Sequence, residues 1–339
     1  MNTTITGAPT AAPPRPLERS DRIFVAGRRG LVGSALWRRL SAAQFGTLLG
    51  PDSTELDLRN RRAVFDWFSR HRPHAVVLAA ARVGGIRANA TQPTEFVSDN
   101  LRIQVNVMDA ALRHGVERLL FLGSSCIYPR QAAQPIHEEA LLTGPLEETN
   151  EAYAIAKIAG IMQVRAVRRQ HGLPWICAMP TNLYGPGDNF HPEHSHVLPS
   201  LIRRFHEAYV EGAPKVVNWG TGTPRREFLH VDDLARACLV LLERYDGEAP
   251  VNVGTGEDLT IRELAETVAS VVGYEGAVEW DPLQPDGTPR KVLDISRITA
   301  LGWKPEISLR DGIRSTYAWY VRLLQTGEAR QAVKCRGTR

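Results

Sequence analysis

Three side chains near the middle of the chain have types and spacings suited to proton transfer. Tyr153 and Lys157 are four residues apart, so on a helix they share one face. There the ammonium group would favour the phenolate and lower the pKa of Tyr153 from its usual value of about 10. Ser124 follows an apolar run, and its hydroxyl can complete a cradle for a carbonyl oxygen. Such a trio donates a proton to an oxygen as hydride reaches its carbon, or removes that proton in reverse.

Cys126 lies two residues beyond Ser124 and offers a second chemistry. A free cysteine is more often a small buried apolar residue than a base, and Cys177 and Cys238, on apolar segments, are interpreted in that way. The position of Cys126 favours a place in the same cavity as Ser124. An ordinary thiol, with a pKa of about 8.5, is only slightly ionised near neutrality, and a nearby cation would raise the thiolate fraction.

Apolar runs of strand length alternate with amphipathic stretches of helix length in the first half of the chain. The predicted strands are 22–26, 47–49, 75–80, 118–123 and 175–179, and the predicted helices are 31–40, 62–70, 96–114 and 153–171. Buried strands joined by helices predict an α/β fold with a doubly wound parallel sheet of the Rossmann type. Ser124 then lies at the carboxyl edge of the sheet, where such folds bind ligands.

After Pro180 the alternation becomes less regular and predicts a smaller, interleaved C-terminal α/β substrate domain. Its elements would be helices 198–209, 231–245, 261–272 and 309–324, with strands at 216–219 and 251–254. We assign 21–183 and about 225–254 to an NAD(P)-binding domain, and 184–224 and 255–326 to the substrate domain. Residues 1–20, rich in Thr, Ala and Pro, are interpreted as a disordered leader, and 327–339, which include Cys335, as a flexible tail.

Composition excludes several classes of protein. The 339 residues are 43% hydrophobic and carry a net charge of +4, a modest excess that suits anionic small ligands. No basic run is interleaved with aromatics, so no nucleic-acid partner is expected. The four cysteines have no paired short spacing and fit a reducing, cytoplasmic compartment. No apolar stretch approaches the ~18 residues that cross a bilayer, and no signal-peptide pattern is present, so no membrane partner is expected.

A glycine-rich loop directly follows the first predicted strand and opens the first predicted helix. It consists of Gly27, Arg28, Arg29, Gly30, Leu31, Val32 and Gly33. Glycines there allow a tight turn and a close approach of the backbone to a pyrophosphate at the helix N-terminus. In this context the pattern predicts dinucleotide binding rather than a plain turn.

The choice between NADP(H) and NAD(H) stays open in the sequence. Arg29 is placed to meet a 2′-phosphate, which favours NADP(H). However, the turn at 50–53 lacks a basic residue, and Asp52 lies where an acid would bind a ribose diol and favour NAD(H). Asp57 would border the adenine and Ala80 would pass under the cofactor, although a small residue such as Ala80 also suits a core.

Two further segments carry candidate ligand groups. His191, His194 and His196 are close together, but the intervening Pro192 and the absence of a second ligand cluster argue against a metal, so none is expected. One of these histidines would instead act as a general acid in a loop over the site. Downstream, the Trp219 ring could cover an apolar face of the ligand, and the Arg226 guanidinium could donate two hydrogen bonds to a diphosphate.

Together these residues resemble the extended short-chain dehydrogenase/reductases over residues 22 to 320. The most specific stretches are 123–129, 150–160, 179–196 and 218–233. Within that family the chain is similar to enzymes that epimerise GDP-4-keto-6-deoxy-D-mannose at C3 and C5 and then reduce C4. The resemblance implies that Ser124, Tyr153 and Lys157 carry out the reduction, with Cys126 as epimerisation base and His196 as acid.

The resemblance also implies binding roles. Pro180, Asn182 and Leu183 would line the nicotinamide side, together with Lys157 and His196. The GDP-sugar would be held by Ser124, Ser125, Cys126, Asn182, Arg204, Trp219, Arg226 and Asp286, although for Asp286 a solvated turn is an equal alternative. The family usually prefers NADPH and forms a homodimer on paired helices. In this chain Arg28 replaces a usual histidine, and the basic residues expected near 50–53 are absent, which affects cofactor preference.

Two other functions compete with this one. An NAD-retaining nucleotide-sugar 4-epimerase, a 4,6-dehydratase or a simple 4-reductase would use the same fold, but the pair of Cys126 and His196 argues against them. A dinucleotide sensor without catalysis is disfavoured because Ser124, Tyr153 and Lys157 are all present.

Overall fold

The structure is a computed structural model that describes residues 15, 17–284 and 286–326. Its strands, in chain order, are β1 (Arg22–Ala26), β2 (Thr47–Leu49), β3 (Ala75–Leu78), β4 (Arg118–Leu122), β5 (Ile176–Pro180), β6 (Asn182–Tyr184), β7 (Lys215–Trp219), β8 (Arg225–Arg226), β9 (Phe228–His230), β10 (Val251–Val253), β11 (Leu259–Thr260), β12 (Ala277–Asp281) and β13 (Arg290–Lys291). Its α-helices are α1 (Leu31–Ala42), α2 (Arg61–His71), α3 (Ile86–Thr91), α4 (Pro93–Arg113), α5 (Glu151–His171), α6 (Val197–Glu211), α7 (Val231–Arg244), α8 (Ile261–Val272), α9 (Ser296–Ala300) and α10 (Leu309–Gln325).

Six parallel strands form the central sheet in the order β10-β5-β4-β3-β1-β2. Strands β3, β4 and β5 are buried along their whole length, because helices cover both faces of the sheet. One face packs on α2, α4 and α5, and the other on α1 and α7. The prediction of a doubly wound parallel sheet is confirmed.

A smaller α/β layer lies beside the sheet. Its parallel pair β7 and β12 packs with α6, α8 and α10 around a separate apolar cluster that includes Phe205, Leu264 and Ile313. The chain crosses between the two parts more than once, since α7 and β10 return to the central sheet after β7. The second half is therefore interleaved with the first.

The predicted bounds agree with those of the structure to within two residues, except at one helix. The helix predicted at 96–114 begins at Pro93, where proline fits the first helical position, and a separate short helix precedes it. Arg15, which we placed in the leader, pairs with Asp21 at 2.8 Å and Glu117 at 3.0 Å. The rest of the leader before residue 17 and the tail from residue 327, with Cys335, lie outside the described residues. Cys177 and Cys238 are buried in the core, as predicted.

Candidate active site

A cavity of about 1470 Å³ opens along the carboxyl edge of the central sheet and extends to the smaller layer. The loops that follow β1, β3, β4 and β5 all reach it, because parallel strands end at the same edge. Apart from His191, one of the three histidines considered as a general acid, every residue proposed for catalysis or binding lines this cavity. The set comprises the loop 27–33 with Asp57, Ala80, Ser124, Ser125, Cys126, Tyr153, Lys157, Pro180, Asn182, Leu183, His196, Arg204, Trp219, Arg226 and Asp286.

The glycine loop at one end of the cavity has no room for side chains at two positions. Gly27 has a φ of +86°, and a Cβ there would lie 2.9 Å from the backbone of Ala80. A Cβ on Gly33 would lie 2.1 Å from the carbonyl oxygen of Gly27. Gly30 precedes α1 and offers no side-chain cap to its first N–H groups. This uncapped helix N-terminus, approached closely by bare backbone, fits a pyrophosphate.

Ser124 and Cys126 lie where β4 gives way to a short 3-10 turn. The backbone N–H of Cys126 donates to Ser124 Oγ at 3.4 Å, and Cys126 is only 8% exposed. Burial raises the pKa of the Cys126 thiol, while the positive charge of Lys291 acts in the opposite direction. Lys291 lines the cavity but was not predicted as a site residue. It lies on β13, far from Cys126 in the chain, so no local spacing in the sequence links the two residues.

Tyr153 and Lys157 share a face of α5, as predicted, but the expected effect on the tyrosine was wrong. The Lys157 ammonium donates to the carbonyl of Leu122 at 2.7 Å and lies 5.7 Å from the centre of the Tyr153 ring. Burial raises the pKa of Tyr153 instead of lowering it, and burial lowers the pKa of Lys157 to about 8. Loss of water is the main influence on both pKa values, and the charge of Cys126 is the second influence on each.

His196 lies directly before α6 and faces the cavity, where burial among the surrounding atoms lowers its pKa. The rings of His191 and His194 stack on each other with centres 4.5 Å apart. Among residues 17–284 and 286–326, no cluster of three or more histidine, cysteine, aspartate or glutamate side chains could hold a metal ion.

The far end of the cavity combines cations with an exposed aromatic. Arg204 donates to Asn218 Oδ1 at 2.9 Å and to the carbonyl of Val217. Trp219 is 71% exposed, and burial lowers the pKa of Arg226. Asp286 accepts hydrogen bonds from Thr221 N at 3.0 Å and Thr221 Oγ1 at 2.7 Å, and it remains exposed to solvent.

A buried carboxylate, which sequence reasoning missed, joins the segments around the cavity. Glu227 is fully buried and accepts from the backbone N–H groups of Thr255 at 2.6 Å, Gly256 at 2.8 Å and Leu293 at 3.0 Å. Its own carbonyl accepts from Asn182 Nδ2 at 2.8 Å. Glu227 thus holds together the chain after β5, the turn after β10 and the end of β13, where Lys291 lies. Its position beside Arg226 gave no sequence signal for this role.

Comparisons with known proteins agree with this site. Residues 23–254 match the NAD dependent epimerase/dehydratase family, so the chain belongs to that family, and the predicted resemblance is confirmed. More particularly, the chain is similar to GDP-L-fucose synthases. It is 60% identical over 305 residues to GDP-L-fucose synthase 1 of Arabidopsis thaliana, covering 90% of this chain and 94% of that one. It is 53% identical over 309 residues to GDP-L-fucose synthase of Escherichia coli (strain K12), covering 88% and 96%.

A solved structure has the same architecture. The GDP-L-fucose synthetase from Naegleria fowleri bound to NADP superposes with a TM-score of 0.85 at 29% identity, covering 95% of this chain and 99% of that one. Within the described part of the chain, no helix has the length and apolar character needed to cross a membrane.

Proposed function

We propose that this chain converts GDP-4-keto-6-deoxy-D-mannose to GDP-L-fucose by epimerisation at C3 and C5 followed by reduction at C4. The observation that carries the proposal is one cavity lined by Cys126, His196 and the trio Ser124, Tyr153 and Lys157. The identity of 53–60% with GDP-L-fucose synthases over about nine-tenths of the chain supports the choice of substrate.

Epimerisation begins because the C4 ketone makes the hydrogens on C3 and C5 acidic. The Cys126 thiolate removes one of these protons, and the electron pair moves to the C4 oxygen to give an enolate. Ser124 and Tyr153 donate hydrogen bonds to that oxygen. The His196 imidazolium then returns a proton to the opposite face of the carbon, which inverts it. After the Cys126 thiol loses its proton to solvent and His196 regains one from solvent, the same exchange follows at the second carbon.

Reduction follows at the same carbonyl. NADPH supplies a hydride to C4 when it is bound, and the fit of the loop 27–33 to a pyrophosphate supports a dinucleotide there. Tyr153 donates its proton to the C4 oxygen as that oxygen becomes an alkoxide. Lys157 keeps a positive charge next to the reacting oxygen, while Pro180 and Leu183 line the nicotinamide side. The GDP portion is bound by the positive charges of Arg204 and Arg226 and contacted by the ring of Trp219.

The experiment that tests this function is a complete reaction with purified protein, NADPH and the GDP-keto-sugar. We expect oxidation of NADPH and a product whose NMR spectrum is that of GDP-L-fucose. A reduced sugar with unchanged C3 and C5 would indicate a simple 4-reductase instead. Conversion of a GDP-sugar that carries a C4 hydroxyl into its C4 epimer, without net oxidation of NADPH, would indicate a 4-epimerase.

The two reactions should respond differently to pH. Lys157 is a cation below a pKa of about 8 and loses its charge as the pH rises through that value, so reduction should slow on the alkaline side. Epimerisation needs the Cys126 thiolate and the His196 imidazolium together, and burial raises the pKa of the thiol and lowers that of the imidazole. Between these two pKa values a rise in pH adds thiolate and removes imidazolium in equal proportion, so epimerisation should change little over the same range. Rates of NADPH oxidation and of deuterium uptake at C3 and C5, measured from about pH 6 to about pH 9.5, separate the two. Parallel profiles would contradict these assignments.

We further propose that the protein is a homodimer built on α4 and α5, in a reducing cytoplasmic compartment. Support comes from an apolar face on these packed helices that exposes Val105 (37%), Ile155 (44%) and Met162 (42%). Within the described residues Cys126, Cys177 and Cys238 are free thiols, which suit the compartment.

Met162→Glu should convert the dimer to a monomer, because a charge would be buried in the interface. Light scattering during gel filtration measures the mass. The matched control is Val210→Glu, on the exposed face of α6, where Val210 is 67% exposed. A monomeric parent protein, or a dimer that survives Met162→Glu, would contradict the proposal.

A further inference from the structure

The end of the cavity beside the glycine loop contains an ion pair that bears on cofactor choice. Asp52, three residues beyond the end of β2, accepts from Arg29 Nη2 at 2.8 Å. Both residues line the cavity. The Asp52 carboxyl is only 10% exposed, whereas the Arg29 side chain is 71% exposed. From the sequence, Arg29 favoured NADP(H) and Asp52 favoured NAD(H), but in the structure the two side chains form an ion pair with each other.

The Asp52 carboxylate is held in place by its own turn. Asp52 Oδ1 accepts from Thr54 N at 2.8 Å, from Thr54 Oγ1 at 2.5 Å and from Glu55 N at 3.2 Å. Glu55 in return accepts from Asp52 N at 2.8 Å. The hydrogen bonds from Thr54, with a smaller effect of Arg29, lower the pKa of Asp52, so the group is a fixed anion at neutral pH.

The other arginines at this end are arranged differently. The Arg59 guanidinium donates a hydrogen bond to the Asp57 carboxylate at 2.9 Å and lies 3.6 Å from the Asp99 carboxylate. Arg28 lies 5.2 Å from the Trp37 ring, and no carboxylate in the described part of the chain forms an ion pair with it. A phosphate group arriving here would meet two guanidinium groups that are already paired with carboxylates, the guanidinium group of Arg28, and the Asp52 carboxylate, which repels it.

We propose that Asp52 is a specificity-determining residue that reduces the preference for the 2′-phosphorylated dinucleotide, so that this chain uses NADH as well as NADPH. Asp52 competes with a 2′-phosphate for Arg29 and accepts a hydrogen bond from the free 2′-hydroxyl of NADH. The inference rests on the proposed function, because that function makes this cavity a dinucleotide site. Asp52 would then be the residue that sets the choice between NADH and NADPH.

Direct binding measures this selectivity without any turnover. Titration calorimetry would give Kd values for NADP⁺ and NAD⁺ with the parent protein, with Asp52→Asn and with Glu55→Gln. Asparagine keeps an acceptor oxygen for Thr54 and Glu55 but removes the charge. We expect Asp52→Asn to raise the ratio of the NAD⁺ Kd to the NADP⁺ Kd by about tenfold, since a like charge near the phosphate is lost.

Glu55→Gln is the matched control, because Glu55 lies in the same turn but does not line the cavity. It should leave the ratio unchanged, and Arg29→Gln should lower it. If Asp52→Asn unfolds, as judged by its thermal melting, Asp52→Ser provides the same comparison. An unchanged ratio of Kd values in a folded Asp52 variant would overturn the role of Asp52 in cofactor choice but would leave the proposed function intact. Failure of the parent protein to bind either dinucleotide would overturn the proposed function and this inference with it.

Discussion

Cys126→Ser should abolish inversion at C3 and C5 while the protein still oxidises NADPH. The serine hydroxyl has nearly the size of the thiol but does not ionise near neutrality, so it does not remove a carbon-bound proton. Loss of a positioned base should slow the exchange by about 10²–10⁴-fold. Incubation in D₂O followed by NMR measures the exchange. The reduced product should keep the C3 and C5 configuration of the substrate.

Cys177→Ser is the matched control for this experiment. Cys177 is also a buried free cysteine, but it lies within β5 and does not line the cavity. It should exchange at the parent rate. If Cys126→Ser also incorporates deuterium at the parent rate, another group is the base.

Tyr153→Phe should have the complementary effect. Removal of the phenol takes away the proton that the C4 oxygen receives, so NADPH oxidation should fall by about 10²–10⁴-fold. Deuterium uptake at C3 and C5 should persist within about tenfold, because Cys126, Ser124 and His196 remain to form and quench the enolate. Stopped-flow absorbance of NADPH and NMR exchange measure the two rates on one sample.

Tyr128→Phe serves as the control for Tyr153→Phe. Tyr128 is a second buried phenol on the same cavity, and its hydroxyl donates to Asn252 at 2.5 Å rather than to a substrate. Its loss should leave both reactions near the parent rates. An equal fall of exchange and reduction in Tyr153→Phe would contradict separate roles for the thiol and the phenol.

The alternation of apolar strands with amphipathic helices was enough to predict the central sheet and the edge at which ligands bind. The position of Ser124 after β4 and the glycine loop after β1 followed from that order, because parallel strands bring their carboxyl ends together. Six strands were not predicted: β6, β8, β9, β11, β12 and β13. All of them except β12 have only two or three residues, which are too few to show a periodicity, and the five-residue β12 was missed.

The electrostatics of the site depend on contacts that the sequence does not encode locally. The pKa of Tyr153 was expected to fall because Lys157 shares its helix face. Instead it rises, because burial of the phenol and the nearby charge of Cys126 both disfavour the phenolate. Lys291 approaches Cys126 only because β13 pairs with β8 at the cavity. The roles of these residues in catalysis stay predictions, and the variants above test them.

Isotope labelling of one turnover tests the central claim, that a single cavity exchanges carbon-bound hydrogen and reduces the ketone. The parent protein would react with the GDP-keto-sugar and protiated NADPH in D₂O, and NMR would locate hydrogen and deuterium in the product. The account predicts deuterium at C3 and C5 with inverted configuration and protium from the cofactor at C4. Protium at C3 and C5 in a reduced product would contradict it.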